Sequence, residues 1–176
     1  MSDLELPSPC EMFSEVARMS DTTCRVMQTE DVGNVSVLVN SVFDTYIAPQ
    51  YTPQGKSEFR KYTESEAFLE RIDQGHFVII AVREDVLIGM IEMRENNHVS
   101  LLFVAEAFQR QGVSRVLLEE ATTHARSLGA ELERITVNSS RYGVPVYEAL
   151  GFRQTGPERT VNGIAFIPLA KRLEGA

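Results

Sequence analysis

His98-Val-Ser-Leu-Leu-Phe-Val104 reads as a strand, and after a short polar connection the chain runs through Gln109-Arg-Gln-Gly-Val-Ser114 into a helix. That helix carries Val113, Val116, Leu117, Ala121, Ala125 and Leu128 on one side, an amphipathic stripe closed by Gly129 as a suitable C′ residue. Ile135-Thr-Val137 is the next strand. Strand, crossover helix and strand in this order predicts a parallel pair between the strand ending at Val104 and the strand opening at Ile135. Gly112 has a physical use at the helix start. Glycine lets backbone approach a ligand closely, and the free N–H groups of a first helical turn point outward as anion donors. Such a loop holds a phosphate or pyrophosphate through main chain, although one glycine before a helix is by itself equally a plain helix start.

Upstream, His76-Phe-Val-Ile-Ile-Ala-Val82 and Leu87-Ile-Gly-Met-Ile-Glu-Met93 are two more strand-like runs. The short polar turns at residues 83–85 and 94–97 make these runs and His98–Val104 antiparallel neighbours. Cys24 to Gln28 reads as a first strand, and Glu30-Asp31 opens a helix with an apolar stripe between Val32 and Tyr46. Ala48 to Gly55 reads as a loop with two prolines, and Ser57 to Asp73 as a second helical region interrupted near Thr63-Glu64. Downstream, Pro145 lies in the first turn of a short helix closed by Gly151. Strands at Phe152–Thr155 and Ile164–Leu169 finish the chain, with Asn162-Gly163 as the turn before the second. The expected fold is α+β, built on a mixed, mostly antiparallel sheet. Residues 1–22 read as an N-terminal extension and 23–176 as one domain. Met19-Ser-Asp21 echoes Met1-Ser-Asp3, so Met19 is an alternative natural start.

Composition narrows the function. A net charge of −8 over 176 residues argues against a nucleic-acid partner, which clustered Lys and Arg would hold. It favours a cationic or neutral small substrate drawn into an acidic cleft. Cys10 and Cys24 lack metal-ligand or redox-motif spacing and read as reduced thiols of a cytoplasmic protein. No apolar run is long enough for a bilayer, and no ligand cluster calls for a metal. A P-loop would need Gly-Lys-Ser/Thr, a Rossmann turn Gly-x-Gly-x-x-Gly, and a hydrolase elbow Gly-x-Ser-x-Gly; the chain has none of them.

Gln109-Arg-Gln-Gly-Val-Ser114 resembles the Gln/Arg-x-x-Gly-x-Gly/Ala signature of the GNAT N-acetyltransferases, with Ser114 where Gly or Ala is usual. Leu102-Phe-Val104 resembles that family's fourth strand, while Asn138 and Tyr147-Glu-Ala-Leu-Gly-Phe152 resemble its fifth strand and closing motif. The resemblance runs over roughly residues 24–170. It implies an acetyl-CoA-dependent N-acetyltransferase fold with parallel strands four and five splayed apart and flanked by helices. Gln109, Arg110, Gln111, Gly112, Val113 and Ser114 would hold the pyrophosphate, and Leu102, Phe103, Val104 and Asn138 the pantetheine arm.

Acetyl transfer to an amine needs a neutral nucleophile, an oxyanion donor and a proton for the departing thiolate. The resemblance gives the acid role to Tyr147, whose phenol is protonated at neutral pH. Its base position falls on His98, with Glu92 on the preceding strand and water as the alternatives. Asp44, Tyr46, Tyr51, Glu58 and Tyr62 are plausible lining residues for the acceptor. The acceptor itself is an unidentified primary amine, small or peptidic, and family habit allows a homodimer. A second reading is a GNAT-fold module that binds acetyl-CoA as a sensor without catalysis.

Overall fold

In the computed structural model, which describes residues 21–174, the chain opens with β1 (Thr22–Val26). Three helices follow: α1 (Val32–Tyr46), α2 (Pro53–Tyr62) and α3 (Ser65–Asp73). The N-terminal extension and the alternative start at Met19 lie outside the described residues. The proline-containing segment expected to be a loop is partly helical. Thr52 caps α2 by accepting from Gly55 N, and Pro53 sits at the first helical position, where its missing N–H costs nothing. The interruption near Thr63-Glu64 is present, as the junction between α2 and α3.

Next come β2 (Phe77–Arg83), β3 (Val86–Arg94) and β4 (His98–Val104), each antiparallel to the one before. Glu84 and Asp85 both have positive φ, as do Glu95 and Asn96, so each hairpin is closed by a turn that follows the right-handed twist of its strands. α4 (Val113–Ser127) crosses over to β5 (Arg134–Ser139), and α5 (Val144–Ala149) precedes β6 (Arg153–Gln154), β7 (Arg159–Val161) and β8 (Ile164–Arg172). The sheet order is β1-β2-β3-β4-β5-β8-β6, and β7 forms a hairpin on the start of β8. β7 had no counterpart in the sequence reading, where only its Asn162-Gly163 turn was visible.

Apolar residues cover both faces of the sheet. One face packs against α4 and α5 through Leu117, Leu118, Ala121, Ala125, Tyr147 and Leu150. The other packs against α1, α2 and α3 through Val35, Val39, Phe43, Phe59 and Phe68. Gly89 on β3 matters here, because a Cβ on it would come within 3.0 Å of Leu117 Cδ1 and 3.2 Å of Val113 Cγ1. Its bare backbone lets the start of α4 lie close against β3 and, across from it, the end of β4.

Two irregularities in β4 create the site. Leu101 pairs with Glu92 and Val99 with Met93, so Ser100 has no partner on β3 and forms a bulge that bends the strand. On the other edge, β4 pairs in parallel with β5 only at His98–Thr136 and Val99–Val137. The parallel pair expected between these two strands is present; it lies at the N-terminal end of β4, and the strands part from Ser100 onward.

Candidate active site

The parted strands open a cleft of about 770 Å³, a size ordinary for a ligand site. Leu101, Leu102, Phe103 and Val104 of β4 line one edge, and Asn138, Ser139 and the following Ser140–Gly143 segment the other. Along an extended strand, backbone groups point alternately to the two sides. Ala105 N donates to Ile88 O on β3 at 2.9 Å, so Leu102 and Val104 turn their N–H and C=O groups toward the opening. The Val104 carbonyl is covered by Gln109, whose Nε2 donates to it at 3.0 Å. The Leu102 and Val104 N–H groups face the gap left by β5. Unpaired main-chain groups at such a gap are a demand for a ligand that carries amides.

At the far end of the opening stands the N-terminus of α4. Arg110 (φ 60) and Gly112 (φ 81) are both left-handed, so the loop curls into a concavity whose amides converge. No side chain caps the helix, and Arg110, Gly112, Val113, Ser114 and Arg115 all line the cleft there. An uncapped helix start with two adjacent guanidinium groups fits a phosphate-bearing ligand. Gln111 does not line the cleft. Its Oε1 accepts from Arg83 at 3.0 Å and its Nε2 donates to Ala107 O at 3.0 Å, so it braces the loop from behind.

Tyr147 of α5 lines the cleft with its ring buried, edge-on to Phe152 at 5.3 Å. Burial pushes its phenol well above the ordinary tyrosine range, so it holds its proton throughout neutral pH. Tyr142 follows β5 on the opposite edge; it stacks on Tyr46 at 4.8 Å and its hydroxyl donates to Gln109 Oε1 at 3.3 Å.

Neither residue considered for the base stands at the cleft. His98 lies in the part of β4 still paired with β5, its Nδ1 2.7 Å from Thr136 Oγ1. Burial, helped by the Arg94 guanidinium and opposed by Glu95, pushes its imidazole down to about 4. Glu92 is 1% exposed and is held bidentately by Arg71 at 2.7 and 3.0 Å, with His76 Nδ1 a further 2.7 Å away. The Arg71 guanidinium in turn lies over the Tyr62 ring at 3.7 Å. This network ties α3 to the sheet.

Of the residues expected to line the acceptor side, only Tyr51 lines the cleft. Asp44 pairs with Arg60, Glu58 with Lys61, and Tyr62 lies under Arg71. Beside Tyr51 the cleft is lined by Val42, Ile47, Phe59, Leu101 and Phe103, apolar residues indistinguishable in sequence from core. Among the described residues no Asp or Glu lines the cleft, which is therefore not the acidic cleft that the net charge suggested.

Sheet order and opened seam together define the GNAT acyltransferase fold. The acetyltransferase (GNAT) domain model matches residues 47–173, well over half of the chain, and the protein belongs to that family of N-acetyltransferases. Among solved structures, a GCN5-related N-acetyltransferase from Rhodopseudomonas palustris superposes with a TM-score of 0.73 at 19% identity, covering 86% of this chain and 95% of that one. The PaiA N-acetyltransferase of Thermoplasma acidophilum, in complex with coenzyme A, gives a TM-score of 0.71 at 18% identity over 86% and 99%. An aminoglycoside 6′-N-acetyltransferase complexed with coenzyme A gives 0.62 at 14% identity over 85% and 96%. At these identities the likeness is one of fold. Among the described residues, no helix is long and apolar enough to cross a membrane, and no group of His, Cys, Asp and Glu is placed to hold a metal.

Proposed function

We propose that this protein transfers an acetyl group from acetyl-CoA to a primary amine by direct attack within a ternary complex. The observation that carries this reading is the opening of β4 from β5 after two residue pairs, with an uncapped helix N-terminus at one end and a protonated, buried tyrosine on its wall. Acetyl-CoA supplies the activated acyl group. The loop from Gln109 to Ser114 would hold its pyrophosphate, with Arg110 and Arg115 adding charge and Gln111 supporting the loop. Leu102, Phe103, Val104 and Asn138 would receive the pantetheine arm.

The chain's own groups then divide the work. The N–H groups of Leu102 and Val104 are fixed donors for the carbonyl oxygen on which negative charge develops, and fixed dipoles need no reorganisation in the transition state. Tyr147 gives its proton to the departing thiolate. Among the described residues, no carboxylate or imidazole lines the cleft to take the amine's proton. The amine therefore loses it to solvent, and the apolar acceptor wall selects the neutral form, because burial without a counter-charge disfavours an ammonium. This assigns the base role first considered for His98 to water.

The test is thiol release from acetyl-CoA with a panel of primary amines, read together with mass analysis of the amine product. Release matched by a product heavier by one acetyl group supports the proposal. Tight binding of acetyl-CoA without turnover of any amine would instead mark a sensor or partner module.

A further inference from the structure

The chemistry of the acceptor side of the cleft is readable from its walls. Val42, Ile47, Tyr51 and Phe59 come from α1, α2 and their connection; Leu101 and Phe103 come from β4. Phe59 is backed by Phe43, stacked on it at 3.8 Å with an 11° interplanar angle, so its ring is fixed by packing. The turn before β8 closes the same side, with Thr52 Oγ1 donating to Gly163 O at 3.3 Å. The carboxylates on these helices are engaged elsewhere: Asp44 by Arg60, Glu58 by Lys61. Among the described residues, the charged side chains lining the cleft are Arg110, Arg115 and Arg141; Arg141 is paired with Glu158 at 2.6 Å, which leaves Arg110 and Arg115 to repel an ammonium.

We propose that the acceptor is a monoamine with an apolar, aryl-sized body, and that amines bearing a second cationic group are excluded. This rests on the transferase reading of the cleft and names its substrate class. A second ammonium on the wall would be desolvated, and among the described residues no carboxylate lines the cleft to pair with it. An aromatic face attracts a cation more weakly than a paired carboxylate does, enough for one amino group in transit and short of what a second requires. An aryl body gains where the dication loses, because burying an aromatic ring against Tyr51, Phe59 and Phe103 removes apolar surface from water.

Binding and turnover are measured separately. Phenethylamine and tryptamine are titrated by calorimetry into the protein loaded with coenzyme A, alongside cadaverine, spermidine and kanamycin. The two aryl amines are expected to bind at least about tenfold more tightly than any of the polycations. Equal or tighter binding of cadaverine, spermidine or kanamycin would overturn the proposal, as would no binding by either aryl amine. Thiol release with the same amines reports on the transferase reading alone, since binding preference stands whether or not the acetyl group moves. Tyr51→Glu then puts a carboxylate on the wall at a half-buried position. The folded variant should bind spermidine at least about tenfold better and phenethylamine worse; an unchanged ratio between them would place the acceptor elsewhere.

Discussion

Gln109 Nε2 donates to the Val104 carbonyl at 3.0 Å, so the side chain that opens the phosphate loop also covers the last main-chain acceptor of the parted strand. The same amide accepts from Tyr142 through its Oε1, so one residue ties the loop, β4 and the segment after β5 together. Gln109→Leu leaves both partners without it. The expected result is a loss of about 1–2 kcal/mol in denaturant unfolding and acetyl-CoA binding at least about tenfold weaker by calorimetry. Weaker folding with intact affinity would reduce Gln109 to a structural brace.

Gly112 is the N-cap of α4 with φ 81. Gly112→Asp places a side chain and a negative charge where the loop should receive a pyrophosphate, and costs about 1–2 kcal/mol of backbone strain. The folded variant should lose measurable coenzyme A affinity. Wild-type affinity in this variant would remove the loop from the cofactor site.

Removing one partner of the Arg71–Glu92 pair leaves a buried charge uncompensated. Glu92→Gln should lower unfolding stability by about 3 kcal/mol or more. The double replacement Arg71→Met with Glu92→Met should recover most of that loss, because an apolar pair of similar volume has no charge to desolvate. Turnover by the double variant would separate Glu92 from the chemistry, whereas a stable but inactive double variant would restore it as a candidate base.

Much of this was legible in the sequence. His98–Val104 has the bounds expected of it, and the stripe from Val113 onward packs against the sheet as its period demands. The crossover order predicted the parallel pair, because handed connection and a two-residue period are local rules. Where that pair opens was not legible: the gap depends on the bulge at Ser100, a register slip with no sequence signal. The acceptor wall was missed for a related reason. Phe59 and Val42 carry the same apolar signature whether they face a core or a cleft, and the charged neighbours Asp44 and Glu58 drew attention instead. Net charge misled because it counts residues without saying which surface they cover.

His98 has its folded imidazole at about 4 against an ordinary 6.5. The unfolded chain therefore binds a proton that the folded one refuses, so its contribution is fully present above 6.5 and is lost as pH falls toward 4. Urea titrations across this window should show stability falling with acidity in the wild type and a shallower fall in His98→Gln. Turnover should rise with pH in step with the acceptor's own ionisation and be the same in both proteins. A rate inflection that disappears in His98→Gln would return the base role to His98.

Tyr147 is the group assigned to protonate the departing thiolate. Tyr147→Phe keeps the ring against Phe152 and deletes only the hydroxyl. The decisive measurement is single-turnover acetyl transfer to the best amine, with acetyl-CoA affinity determined in parallel. Affinity should be unchanged and the transfer rate lower by about 10²-fold or more, the usual contribution of a positioned acid. Transfer at the wild-type rate by a folded, acetyl-CoA-saturated Tyr147→Phe would contradict this assignment.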